Sequence, residues 1–390
     1  MSLFSDRPFR ATAVGHFVVD LINGQRALIL AAFSGPLGLS NAFIGILSTA
    51  YTLLGSALQP VFGLLADRIG ARWVATLGIL WMALSFSLAV LIPGRVALLL
   101  LVLTAIGSAA FHPAGTAEAT DRARRHFTVQ VAFAASLFFL FGQLGLAVGP
   151  ALGGVIVELR GVSGLIVLLV LVVPVGINAG LRIPSGGRHS ASVSGALSSA
   201  GDRRGFVPFA IMIALRSWAM MTMIAFVPKY YSDLGFSPAT FGIYAALFMG
   251  GSALGGVAGG WLADRTDKRA LVSRTLVLAG IPLLLMAALG ANAWGYLLLF
   301  LSGGLIGISH SPIVVHAQGM MPTYVGAASG AVLGFTFASG AIGVLISGFL
   351  ADQFGFDAVF VVAAATVTLG GLLAAVARLW VAAPTVAETV

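Results

Sequence analysis

Along the 390 residues, apolar stretches of about 20 residues alternate with short polar breaks that hold almost every charge. Wound as a helix, a stretch of that length crosses the roughly 30 Å hydrocarbon layer of a bilayer. The pattern predicts spans over residues 11–33, 43–66, 73–92, 96–117, 127–157, 163–182, 206–231, 238–263, 270–290, 294–316, 324–350 and 356–380. The runs are continuous and lack the alternation of a barrel strand, so the expected fold class is an all-α membrane protein of twelve transmembrane helices. Residues 183–205, IPSGGRHSASVSGALSSAGDRRG, interrupt the pattern with Ser, Gly, Arg188, Arg203 and Arg204, and read as a flexible cytoplasmic tether. The predicted organisation is a six-helix bundle over 1–182, a linker over 183–205 and a second six-helix bundle over 206–390.

The polar breaks repeat. Residues 63–72 read GLLADRIGAR and residues 260–269 read GWLADRTDKR, with Gly63 and Gly260 offset by 197 residues. Asp67, Arg68 and Arg72 have counterparts in Asp264, Arg265 and Arg269, while Gly70 belongs to the first copy alone. A duplication at that spacing makes the two bundles pseudo-symmetric halves, each with the same charged hinge between its second and third helices.

Composition sharpens this picture. With 59% hydrophobic residues, 9% charged residues and a mean hydropathy of +1.02, the chain has too little polar surface for a soluble globule. Fifty glycines suit helices that adhere through close backbone approach inside lipid. A net charge of +8 would suggest nucleic acid in a soluble protein, but here the charge is sorted across the predicted bilayer. Sixteen of the 21 Lys and Arg fall on one side, Arg95, Arg160 and Lys229 on the other, and Arg26 and Arg216 within spans. That bias places both termini in the cytoplasm and leaves no role for nucleic acid. The first span, which contains Asp20 and Arg26, reads as a permanent helix and not a cleaved signal. The absence of cysteine, of HExxH and of GxSxG, and six histidines without metal-ligand spacing, predict neither an enzyme nor a metal site. Nothing in the sequence requires an oligomer, so a monomer in the lipid bilayer is expected.

Ionisable groups inside spans cost about 2.5–3.5 kcal/mol each on insertion scales, so those that persist mark a polar cavity or a partner. The first helix carries His16, Asp20, Asn23 and Arg26, the fourth His112, the seventh Arg216 and the tenth His310. His16, Asp20 and Asn23, four and three residues apart, share one helical face. Asp20 is the one acid well inside a span, and Arg216 follows it by 196 residues, almost the repeat offset. The expectation is that Asp20 and Arg216 face each other across a cavity, with Asp20 as proton carrier and Arg216 as counter-ion or anchor for an anionic substrate; a fixed ion pair holding the halves together is the plainer alternative. His112 precedes Pro113, and His310 stands two residues before Pro312, which predicts interrupted, solvated helices and possible proton relays. Each histidine could equally be a hydrogen-bonded group without that role.

In the fifth span, Gly145, Gly149, Pro150, Gly153 and Gly154 spell GLAVGPALGG, a stripe for close helix contact beside a proline. The duplicated hinge resembles the signature loop of the major facilitator superfamily, and GLAVGPALGG fits its antiporter motif GxxxGPxxGG at every defined position. The segments GHFVVDLINGQ (15–25), AFHPAGTAEA (110–119), FVPKYYSDLGFSP (226–238) and SHSPIVVHAQ (309–318) are similar to its fosmidomycin-resistance-type branch. The resemblance implies that helices one, four, seven and ten line a central cavity. It implies an inner-membrane efflux permease that exchanges a small-molecule substrate for protons, with no cofactor beyond the proton gradient. It also implies a cytoplasmic gate in which Asp67 meets the start of the eleventh helix near Thr323 and Asp264 the fifth near Thr128. One departure stands out: where many proton-coupled exporters carry an arginine about a turn before a glycine in the fourth helix, this chain has Leu103 before Gly107. Within transport, proton-linked uptake of a small organic anion is the alternative that the cavity arginines suggest. A membrane-embedded enzyme is remote, and a channel is disfavoured because two pseudo-equivalent halves with a single interior acid suit a moving two-state carrier better than a ring of filter groups.

Overall fold

The computed structural model describes residues 5–126, 131–185, 203–320 and 325–376. Its helices are α1 (Arg7–Leu37), α2 (Asn41–Ile69), α3 (Ala71–Leu91), α4 (Arg95–His126), α5 (Val131–Arg160), α6 (Leu169–Arg182), α7 (Arg203–Asp233), α8 (Pro238–Ala263), α9 (Lys268–Leu289), α10 (Gly295–Ile308), α11 (His310–Met320) and α12 (Val325–Val376). A 3-10 segment, Val162–Leu168, leads into α6. Among the described residues, eleven helical segments are long and apolar enough to cross a membrane. The 52 residues of α12 would reach about 78 Å if straight, more than twice the hydrocarbon thickness. They do not run straight, because Gly355 takes φ 78°, ψ 175° and divides α12 into two arms.

The duplication extends beyond the hinges to the opposite end of the helices. Gly38 ends α1 at φ 60° and Gly235 follows α7 at φ 79°, again 197 residues apart. Two residues after each glycine a serine caps the next helix: Ser40 Oγ accepts from Phe43 N (3.1 Å) and Ser237 Oγ from Thr240 N (3.4 Å). We call the end with these two turns the upper end, and the end with the charged hinges the lower end.

Outer helix faces carry exposed Leu, Val, Phe and Trp, such as Leu64, Leu159, Val170 and Trp261. Between helices, glycines allow close backbone approach while apolar side chains such as Phe86, Phe111 and Phe226 fill the interior. An apolar exterior around an equally apolar interior fits lipid as the surrounding solvent. Contacts run mostly within α1–α6 and within α7–α12, and the two sets meet chiefly where α5 packs on α8, α2 on α12 and α1 on α7.

Hydrogen bonds between the sets, among the described residues, gather toward the upper end. Asp352 accepts from Asn41 N (2.7 Å) and Ala42 N (2.8 Å) at the start of α2, and Glu158 accepts from Ala239 N (3.0 Å) at the start of α8. Glu158 and Asp352 stand 194 residues apart, so these two clasps are themselves a repeat. Each places a carboxylate on the unsatisfied amides at a helix N-terminus. Thr49 Oγ1 donates to Ala341 O (2.8 Å) and Ser232 Oγ to Ala31 O (3.4 Å) in the same region.

Of the helix interruptions expected beside the prolines, one is present. The tenth span breaks at Ser309 between α10 and α11, whereas α4 runs on through Pro113.

Candidate functional site

The polar face expected on α1 exists, and it is completed by residues from α2, α4 and α5. Asp20, with a side chain 9% exposed, sits between two imidazoles: His16 Nε2 lies 3.3 Å from Oδ2 and His112 Nε2 3.4 Å from Oδ1. Asn23 Nδ2 donates to Asp20 Oδ1 (2.7 Å) and to Ser108 Oγ (3.1 Å), and the Tyr51 hydroxyl donates to Asn23 Oδ1. The Arg26 guanidinium lies 4.4 Å from the centre of the Tyr51 ring, a cation–π contact.

Both imidazoles are fixed from behind. His16 Nδ1 donates to Phe138 O (2.8 Å) and His112 Nδ1 to Ser108 O (2.7 Å), so each ring turns Nε2 toward Asp20. Since a carbonyl only accepts, these bonds set the tautomer. His16 also stacks on Phe138 with ring centres 4.1 Å apart and meets His112 edge-on at 5.1 Å. Gly142 on α5 makes the crowding possible, because a Cβ there would stand 2.5 Å from His16 Nε2 and 2.6 Å from Asp20 Oδ2. The His112 side chain remains 24% exposed, which leaves the cluster open on that side.

The second set of helices holds a different group. Arg216, buried, donates from Nε to Ser309 Oγ (2.7 Å) and from NH2 to Ile306 O (3.4 Å). It therefore reaches the break between α10 and α11, and half-buried His310 is within electrostatic reach of it. Among the described residues it has no carboxylate partner. The expected Asp20–Arg216 pairing is not what the structure contains: Asp20 is engaged by histidines and Asn23 within α1 and α4, Arg216 by neutral oxygens of α10 and its end. Local partners along α1 and α4 reach the carboxylate first, and matching depth in a repeat does not by itself bring two side chains together.

The fold brings two of the histidines together. His16 and His112 are 96 residues apart and show no ligand spacing in the sequence, yet with Asp20 they place three donor atoms within 4.8 Å of one another.

Of the motif residues, Gly145 and Gly149 press on the α1 backbone at Phe17 and Leu21, Gly153 on the Gln25 side chain, and Gly154 on α8 at Pro238. Gln25 Nε2 donates to Gly149 O (2.7 Å), and Gly242 of α8 lies against the carbonyl of Pro150. The stripe thus joins α5 to α1 on one face and to α8 on the other. At the lower end, Gly63 faces Pro113, Gly70 ends α2 at φ 94°, and Gly260 faces Ser311. Arg72 lies over Trp73, Arg265 over Trp261, and Arg269 donates to Ala375 O. Asp67 is half-buried, and Arg68 and Asp264 are exposed. The expected partners of the two aspartates, Thr323 and Thr128, lie outside the described residues, as do residues 186–202 of the linker.

A sequence profile of the Major Facilitator Superfamily matches residues 12–331 and 209–389. The chain belongs to this superfamily. Its relatives and structural neighbours are transporters, so this superfamily member is not an enzyme. It is 26% identical over 377 residues to the fosmidomycin resistance protein of Escherichia coli (strain K12), covering 93% of this chain and 90% of that one. It is 33% identical over 153 residues, 37% of this chain and 31% of the relative, to a putative multidrug resistance protein, MdtD, of Salmonella paratyphi B. In three dimensions it superposes on a bacterial homologue of the human lysosomal transporter Spinster, in an inward-facing and occupied conformation, with a TM-score of 0.80 at 14% identity, covering 95% and 96% of the two chains. It superposes on the nucleoside transporter NupG with a TM-score of 0.76 at 14% identity, covering 94% and 98%. These structural likenesses carry the fold; the sequence relatives carry the efflux-type kinship.

Sequence reading missed Tyr51, Ser108 and Gly142. A single hydroxyl or glycine inside an apolar span leaves hydropathy unchanged, and these three gain meaning only against α1.

Proposed function

We propose that this superfamily member is a proton-coupled exporter of a small organic molecule, an antiporter of the inner membrane that works by alternating access. On this reading twelve spans form two six-helix bundles, the arms of α12 counting as the eleventh and twelfth, and the protein acts as a monomer. Both termini face the cytoplasm, with the proton gradient as the sole energy source. The observation that carries the reading is Asp20: one carboxylate, buried at mid-span, whose oxygens meet two imidazoles. A carboxylate and two imidazoles in contact form a proton-exchangeable unit, and such units inside a membrane are costly unless used.

The Lys and Arg bias makes the upper end the external face. The two clasps and the α5–α8 and α2–α12 packing then close the outer gate, a contact set specific to one state of a two-state cycle. Asp67 and Asp264 serve the opposite state at the lower end. Fosmidomycin, in the name of the E. coli relative, is the first candidate cargo.

The test is transport in proteoliposomes with an imposed pH gradient, comparing the wild type with Asp20→Asn. The variant is expected to keep substrate exchange and lose gradient-driven flux. Undiminished gradient-driven flux in the variant rejects Asp20 as the carrier.

A second reading, proton-linked uptake of a small organic anion, draws on Arg216, a buried cation among neutral partners. Comparing release from inverted and right-side-out vesicles separates export from uptake.

A further inference from the structure

We infer that His16, Asp20 and His112 form a binding site for a divalent transition metal of the Zn2+, Co2+ or Ni2+ type. The inference goes beyond the proton-carrier reading and is decided separately from it.

The donor set and its support carry the argument. Two imidazoles and one carboxylate suit these metals, and the three donor atoms already lie within 4.8 Å of one another. With bonds of about 2.0–2.1 Å, the edge of a tetrahedral zinc site is about 3.3–3.4 Å. The His16 Nε2–Asp20 Oδ2 and His112 Nε2–Asp20 Oδ1 separations are 3.3 and 3.4 Å, so each imidazole meets its own carboxylate oxygen at about that length, and a metal would draw both rings toward one of them. Metal-bound histidine characteristically donates its second ring N–H to a carbonyl or carboxylate, which fixes the tautomer that leaves the other nitrogen bare. Here both do so, His16 to Phe138 O and His112 to Ser108 O. With both rings neutral, the two Nε2 atoms and the carboxylate are three acceptors together, an arrangement that protons on Nε2 or a metal cation among them would satisfy. Asn23 supplies the remaining support by donating to Asp20 Oδ1 (2.7 Å).

The metal would take both Nε2 atoms and the carboxylate, and any proton on these groups would leave to solvent as it entered. Three protein ligands leave a fourth tetrahedral position for water or an oxygen donor of a cargo molecule, and the 24% exposure of His112 provides the approach.

The experiment uses the full chain purified without a polyhistidine tag and titrated with Co2+ alone, read by its ligand-field absorption, and with Zn2+ alone by calorimetry. One equivalent is expected to bind saturably, and His112→Gln or His16→Gln to weaken binding at least ~10-fold, while His310→Gln binds as the wild type does. X-ray absorption of the metal-loaded wild type guards against variants that fail to fold, and is expected to show two imidazole ligands. The inference is overturned by absence of saturable binding, by binding unaffected in His112→Gln, or by a metal shell without imidazole. Proton-driven transport that persists in metal-free protein leaves the proton reading standing whichever way the titration falls.

Discussion

Removing one outer clasp gives the most direct measure of how the cycle is biased. Asp352 accepts from two consecutive amides at the start of α2, and Asp352→Asn removes the charge while keeping an oxygen in place. Capping and helix-dipole interactions at exposed sites are worth about 1 kcal/mol, which corresponds to about a fivefold change in a two-state population. On the proposed reading this contact belongs to the state closed at the upper end, so the variant should shift the population about fivefold toward the state open there. The chain has no cysteine, so a spin-label pair on cysteines introduced at Ile69, at the lower end of α2, and Thr266, in the hinge after α8, reports the change without background. The expected result is growth of the short-distance population, as the lower end closes when the upper end opens. Glu158→Gln should act in the same direction, and because the clasps are separate the double variant should approach the product of the single effects. An unchanged distance distribution in Asp352→Asn would refute the argument that these carboxylates hold the gate.

Other outcomes follow from the same geometry. Gly142→Ala drives a Cβ to 2.5 Å from His16 Nε2 and should cost proton-driven flux more than tenfold while leaving insertion intact; normal flux would show that the cluster tolerates displacement. Arg216→Met removes a buried cation without a described carboxylate partner, so the melting temperature in detergent should hold or rise while transport falls, and a large loss of stability would contradict this account. Asp67→Asn should insert normally but slow turnover in a proteoliposome assay, since its proposed contact belongs to the opposite gate state.

Much of the fold was legible in the sequence because a bilayer demands long apolar runs, and their ends follow Gly, Pro and charge. The tenth span differs from the span list for a local reason, breaking at Ser309 before Pro312, whereas α12 turns through Gly355, beside Asp352 and Gln353, between the spans expected at 324–350 and 356–380. Half of the site was legible as well: the four-and-three spacing of His16, Asp20 and Asn23 fixes a face, and His112 joins it across α4. What the sequence could not show was which groups pair. Asp20 and Arg216 match in depth but bind neighbours of their own, and the His16–His112 approach needs α1 and α4 in contact. The clasps had a readable signal, since Glu158 and Asp352 lie at nearly the repeat offset, but a carboxylate at a helix end is ordinarily taken as interfacial.

The acid–imidazole cluster is built wholly from α1, α2, α4 and α5, and the Arg216 group wholly from α7, α10 and the residue after it. Among the described residues, neither shares a hydrogen bond with the other. When one half tilts against its twin, each cluster can therefore ride along as a finished unit, its internal bonds uncut. The work of switching then falls on the helix tips and on the glycine seams between α5 and α8, and the speed of the protein can be retuned there without touching the chemistry it carries.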